Sequence, residues 1–248
     1  MELMPHIRLS EENSAPYALL PGDPGRIDRI AVHLDSVKEL AYNREFRSIH
    51  GFYKGTPILA VSTGLGGPSA ATAVEELARI GVQYFIRIGS CGALQKDLKL
   101  GDLILVNAAV RDDGTSRAYA DCSYPAAADF HLLKACEESA QELQASYHIG
   151  FCRSHDSLYA AEKKQKDSIS SAQGILGSDM ETAAVFVSSS LKKLHAASIL
   201  NVVVTYNDDL SKKLNDYGSG EAQTLQGEQN EILTALNAFV RIEKLSKR

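Results

Sequence analysis

Two arginines and three glycine-rich turns carry the chemistry that can be read first. Arg26 directly follows Gly22-Asp23-Pro24-Gly25, and Arg87 sits inside the apolar run Tyr84-Phe85-Ile86-Arg87-Ile88, two residues before Gly89-Ser90-Cys91-Gly92. A third turn is Gly64-Leu65-Gly66-Gly67. Glycine lets backbone N–H groups approach an anion, a following helix N-terminus adds a favourable partial charge, and the guanidinium fork suits a phosphate. Together these features describe a phosphate cradle. The plainer alternative is that the glycines only permit tight strand-to-helix turns and the arginines are solvated or paired. Arg87 speaks against it, because an arginine within an apolar strand needs a buried anionic partner. None of the turns reads GxGxxG or ends in GK[ST], so a nucleotide cofactor is not indicated.

Glu181, beside Met180 at the start of an apolar stretch, is the leading carboxylate. Its plain reading is an acid favoured by a helix dipole. His155 in Ser154-His155-Asp156 follows a predicted strand and is either a catalytic candidate or a hydrogen-bonded structural histidine. Cys91, beside the phosphate turn, reads as a small packing residue. The cysteines at 91, 122, 136 and 152 form no CxxC pair and no Cys/His cluster of metal-ligand spacing, so reduced, mostly buried thiols and no metal site are expected.

These residues need strands and helices to bring them together. A short apolar run, a Gly-rich turn and a stretch of helical spacing recur along the chain, which is an α/β pattern. Strands are predicted at 17–20, 58–62, 84–88, 103–109, 149–153 and 198–205. A helix opens at Arg26, a second carries Ala70, Ala73, Val74 and Leu77 with Ser69 as N-cap and Glu75 and Glu76 outside, and others lie near 130–144, 181–194 and 226–244. The polar stretches 163–171 and 210–220 read as exposed loops. In an open α/β sheet the three turns would meet along one edge, where ligands sit. No repeat or linker interrupts the 248 residues, so one domain spanning 1–248 is the economical reading.

Composition narrows the partners. Hydrophobic residues make up 44% and charged residues 23%, as in globular proteins, with 26 basic against 31 acidic residues and a net charge of −5. That balance is a poor match for nucleic acid or an anionic membrane. The apolar runs are strand-sized, well short of the roughly 20 residues that span a bilayer. No secretory leader is evident at the start, and the expected location is the cytoplasm.

Five segments in one order carry a resemblance: Pro21-Gly22-Asp23-Pro24-Gly25-Arg26, Asn43-Arg44-Glu45-Phe46, Ser62 to Ser69, Arg87-Ile88-Gly89-Ser90-Cys91-Gly92-Ala93 and Asp179-Met180-Glu181. The chain resembles the hexameric nucleoside phosphorylases over almost its whole length, nearest overall to the uridine phosphorylase branch. The resemblance implies a three-layer α/β fold with a central mixed sheet flanked by helices. It also implies phosphorolysis of a ribonucleoside to ribose 1-phosphate and free base, with inorganic phosphate as co-substrate and no cofactor. By the same resemblance Gly22, Arg26, Arg44, Arg87 and Ser90 hold phosphate, Arg26, Arg87 and Glu181 are catalytic, and His6, Met180 and Glu181 bind ribose. Arg44 and His6 reach a neighbouring subunit's site, so a homo-oligomer is expected, a hexamer built from dimers.

The base side departs from the pattern. Where uridine phosphorylases carry Gln-x-Arg, this chain has Glu162 and Lys164, and a carboxylate cannot both donate and accept as an amide does. The usual stacking aromatic is replaced by Leu158, with Tyr159 next to it. Purine-specific members place an Asp where this chain reads Tyr206-Asn207-Asp208. Leu158, Tyr159, Glu162, Lys164, Tyr206 and Asn207 are the base-binding candidates, and pyrimidine and purine both stay open. A nucleosidase or a catalytically silent nucleoside-binding protein of the same fold are the competing readings; Arg26, Arg44 and Arg87 disfavour the hydrolase, which needs no phosphate cradle.

Overall fold

Uniform burial along Tyr17–Pro21 makes β1 a strand covered on both faces, the mark of a strand inside a layered α/β sheet. A computed structural model describes residues 3–206, 208 and 222–246. The other strands are β2 (Asp35–Asn43), β3 (Phe46–Tyr53), β4 (Thr56–Val61), β5 (Tyr84–Ala93), β6 (Leu103–Asp112), β7 (Tyr147–His155), β8 (Gly177–Asp179) and β9 (His195–Val204). They form one mixed sheet in the order β2-β3-β4-β1-β5-β8-β7-β6-β9. Because β9 pairs with β5 as well as with β6, the strands from β5 onward close into a barrel-like ring.

The helices are α1 (Arg26–Ala31), α2 (Gly67–Arg79), α3 (Gly114–Tyr119), α4 (Phe130–Glu142), α5 (Lys163–Ala172), α6 (Thr182–Leu191) and α7 (Ala222–Ser246). Apolar residues of α2 and α6, among them Val74, Leu77, Val185 and Phe186, pack with one set of strand residues. Ile27 and Ile30 of α1, Leu132 and Cys136 of α4, and Leu236 and Phe239 of α7 pack with the other. The expected three layers are present. Among the described residues no helix is long and apolar enough to cross a membrane.

Several local expectations change. Helix α2 begins with Gly66 as its N-cap, so Ser69 lies within the first turn and donates to Glu45 Oε1 at 2.7 Å instead of capping. Glu76 does not stay outside: it is buried, accepts the backbone N–H groups of His6 and Ile7, and lies 2.6 Å from His6 Nδ1. The stretch 163–171, expected as a loop, is α5, held by Lys163 and Asp167 at 2.5 Å one turn apart. The hairpin β2–β3 went unpredicted because β2 is an edge strand with polar, mostly exposed residues, which hides the alternation that marks a strand. Cys122 is exposed while the other three cysteines are buried. The expected loop at 210–220 lies outside the described residues.

Candidate active site

The first two turns are stitched together at the ends of β1 and β4, where Thr63 N–H donates to Pro21 O and Gly64 N–H to Gly22 O, both at 2.9 Å. Beside them β5 runs parallel to β1 and brings Arg87 opposite Leu20. The three turns thus meet on one edge. A cleft of about 390 Å³ opens there, lined by Gly22, Asp23, Arg26, Gly64, Arg87, Gly89, Ser90 and Glu181 among others.

Arg87 has the buried anionic partners that its position demanded. It is 3% exposed, with Nε donating to Asp179 Oδ2 at 3.1 Å and Nη2 to Glu181 Oε2 at 2.6 Å. Burial works against its charge, but the carboxylates of Glu181 and Asp179 outweigh that and hold its pKa above the ordinary value. Asp179 in turn accepts from Ser154 Oγ, Thr182 Oγ1 and Thr182 N–H, which fixes it at the mouth of α6. Glu181 is the N-cap residue of α6, and its Oε1 accepts Gly66 N–H at 2.6 Å. Burial raises the Glu181 pKa, opposed by the Arg87 charge.

Arg26 opens α1 and is 2% exposed. Its Nη1 donates to Ile88 O at 3.2 Å and Nη2 to Ser90 Oγ at 3.4 Å, which ties the first turn to the third. Its other side meets α7: Nε donates to Glu228 Oε2 at 3.0 Å, and Nη1 lies 3.1 Å from Glu231 Oε1. Glu228 also pairs with Arg29. Glu231 is fully buried and its oxygens lack an aligned hydrogen-bond donor; burial pushes its pKa up to about 8, against the pull of Arg26. The sequence reading missed Asp179, Glu228 and Glu231 as arginine partners. Two glutamates three residues apart on the apolar stripe of α7 were the available signal.

The remaining expected residues lie elsewhere. Arg44 is exposed at the β2–β3 turn with φ 56°, and His6 is held against Glu76, with its carbonyl accepting Asn43 Nδ2 at 2.7 Å. Neither lines the cleft, but the neighbouring Glu45 packs so closely on Gly64 that an added Cβ there would sit 2.7 Å from Glu45 Cγ. The hairpin tip therefore stands at the rim. Met180 is half-buried between Asp179 and Glu181. Burial raises the Cys91 thiol well above its usual range, in keeping with a packing role. Of the base-binding candidates, Glu162 lines a separate cavity with Arg153 and His155. Tyr206 lines a third with Lys96, Leu158 is half-buried, and Tyr159 and Lys164 are exposed. Asn207 lies outside the described residues. Among the described residues no cluster of His, Cys, Asp and Glu is placed to hold a metal ion.

The chain is similar to known proteins over most of its length. The model of the phosphorylase superfamily matches residues 16–239. A uridine phosphorylase from Thermococcus kodakarensis is 37% identical over 241 residues, covering 92% of this chain and 86% of that protein. A guanosine phosphorylase from Halorubrum lacusprofundi is 39% identical over 202 residues, covering 82% and 83%. The crystal structure of uridine phosphorylase from Vibrio fischeri ES114 superposes with a TM-score of 0.91 at 42% identity, covering 97% of this chain and 98% of that one.

Proposed function

The chain belongs to the phosphorylase superfamily and is a pentosyltransferase of the nucleoside phosphorylase type, and from that premise we propose that Arg26, Arg87 and Ser90 hold inorganic phosphate for attack on C1′ of a ribonucleoside. The observation that carries this reading is the convergence of two buried guanidinium groups and Ser90 on one cleft that also contains Glu181. A phosphate oxygen forms the C1′–O bond as the C1′–N bond breaks, its electron pair leaves with the base, and the base takes up a proton. Ribose 1-phosphate and free base result.

The sugar becomes oxocarbenium-like as the bond breaks, so an anion on one face and a fixed carboxylate near the hydroxyls both stabilise it. The arginines supply orientation and electrostatics more than proton transfer. Glu181, locked by Gly66 N–H and Arg87, binds the ribose 2′- and 3′-hydroxyls, with Met180 against the ring. Arg44 and His6 complete a neighbouring subunit's site, which makes a dimer the smallest active unit and a hexamer built from dimers the expected assembly, in the cytoplasm. Phosphate is a co-substrate and no cofactor takes part.

The relatives include a uridine and a guanosine phosphorylase, and the substrate belongs to that range. A panel of nucleosides incubated with and without phosphate tests the reading. Base release that requires phosphate supports it; equal release without phosphate makes the protein a nucleosidase, and no release with retained nucleoside binding makes it a silent binder.

A further inference from the structure

Behind the cleft wall, the Arg26 guanidinium meets two glutamates of α7 that a phosphate cradle does not call for. Arg26, Glu228 and Glu231 are all buried. Arg26 Nε donates to Glu228 Oε2 at 3.0 Å, and Nη1 lies 3.1 Å from Glu231 Oε1, while Nη2 donates to Ser90 Oγ, a cleft-lining residue, at 3.4 Å. Glu228 is shared with Arg29, which donates to it through Nη2 at 3.3 Å. Among the described residues Arg26 is the one ion-pair partner of Glu231. One guanidinium thus serves two buried acids and the cleft at once.

The acids keep this position because the start of α7 is pinned. Gly227 packs so closely that an added Cβ would overlap Asn201 Oδ1 and lie 2.7 Å from Gly101 Cα. Asn201 Nδ2 also donates to Thr224 O at 2.8 Å, which ties α7 to β9. Glu231 faces Arg26 of α1, Arg87, Cys91 and the Gly89 N–H of β5, and Glu228 of its own helix. From α4 and β9, apolar residues such as Leu132 and Ile199, with the buried Cys136 thiol, pack in the same layer as α7. Two arginines therefore sit near Glu231, but it competes for them with Glu228, Asp179 and Glu181.

We propose that Glu231 is a positioning residue of the phosphate site, which holds the Arg26 guanidinium from behind and yields that charge to an arriving phosphate by taking a proton from solvent. The proposal rests on the reading above that Arg26 binds phosphate. A bound phosphate is a further anion on the same guanidinium, so it raises the cost of a bare carboxylate on the other side. In a buried site that repulsion is little screened. Protonation removes it: one proton moves from solvent onto a Glu231 oxygen, and the neutral acid keeps its place beside Nη1. Burial already pushes this acid up to about 8, so the linkage falls at mildly alkaline pH. Anion affinity therefore declines as pH rises through that value, because the proton is lost there.

The test titrates the whole chain with sulfate by calorimetry, since sulfate has the shape of phosphate and stays doubly ionised across this range. Wild type should lose about 10-fold in sulfate affinity between pH 7 and pH 9, and should take up protons on binding near pH 8. That uptake is read as a dependence of the measured heat on the ionisation enthalpy of the buffer. Glu231→Gln has the shape and neutrality of the protonated acid, so it should fold and bind sulfate at pH 9 as wild type does at pH 7, with no proton uptake. Glu231→Asp, which titrates again, should restore a pH dependence. Equal pH slopes in wild type and Glu231→Gln overturn the proposal. So does sulfate binding by wild type without proton uptake, a result that needs no variant to fold. A wild type that binds neither sulfate nor phosphate overturns both the proposal and the functional reading. If sulfate binds with the expected slope but no nucleoside is cleaved with phosphate, the functional reading fails and the role of Glu231 stands.

Discussion

Arg87 Nη2 lies 2.6 Å from Glu181 Oε2 in one cleft, and this pair joins the two halves of the proposed chemistry, in which the cation is given to phosphate and the carboxylate to the sugar. Both groups are buried, so each is the other's main compensation for lost solvation. Removing one therefore changes catalysis and stability together.

Arg87→Ala should reduce phosphorolysis by about two orders of magnitude, the usual loss of about 3 kcal/mol when one preorganised contact to developing charge is deleted. It should also lower Tm, because Asp179 and Glu181 remain as two buried carboxylates without their shared cation. Turnover at limiting phosphate and a thermal melt check both. Undiminished turnover would remove Arg87 from the cradle.

Gly89→Ala offers a gentler displacement of the same group. A Cβ at Gly89 would overlap the Arg87 guanidinium, which must shift from its place in the cleft. The expected outcome is a raised KM for phosphate in a protein that keeps its fold by circular dichroism. An unchanged phosphate KM would mean that the guanidinium position does not govern phosphate affinity.

Glu231 makes stability depend on pH with a definite sign. Its folded pKa of about 8 lies above the ordinary 4.5, so the folded state holds the extra proton between those values, and stability falls as pH rises through that window. The full effect is on the order of 5 kcal/mol. Arg26, Glu228 and Arg87 face the group and set its coupling. Wild-type Tm should decline from pH 5 to pH 8, and Glu231→Gln should flatten that decline. The same slope in both proteins would show that another group titrates.

Mixing subunits tests the role given to the hairpin. If Arg44 serves a neighbouring site while Arg87 serves its own, inactive Arg44→Ala and Arg87→Ala proteins should regain activity after reassembly, since some interfaces then hold one intact site. Demonstrated subunit exchange without recovery would make the site self-contained.

The amino-acid sequence by itself determined the α/β class, the three glycine turns and the need for an anion beside Arg87, because apolar runs, glycines and a charge within a strand are local signals. Five motifs in order also carried the family. Tertiary structure decided what lies between distant segments. Asp179 and Glu181 reach Arg87 across more than ninety residues, and Glu228 and Glu231 reach Arg26 across about two hundred, through sheet pairing and the docking of α7. No local spacing records such contacts. The edge hairpin and α5 were equally hidden, since polar exposed residues leave periodicity weak, and Arg153 looked like an ordinary strand residue until burial showed its Nε and Nη1 without partners. Solvation is a property of the assembled fold, so the groups whose chemistry depends on being dry became visible only there.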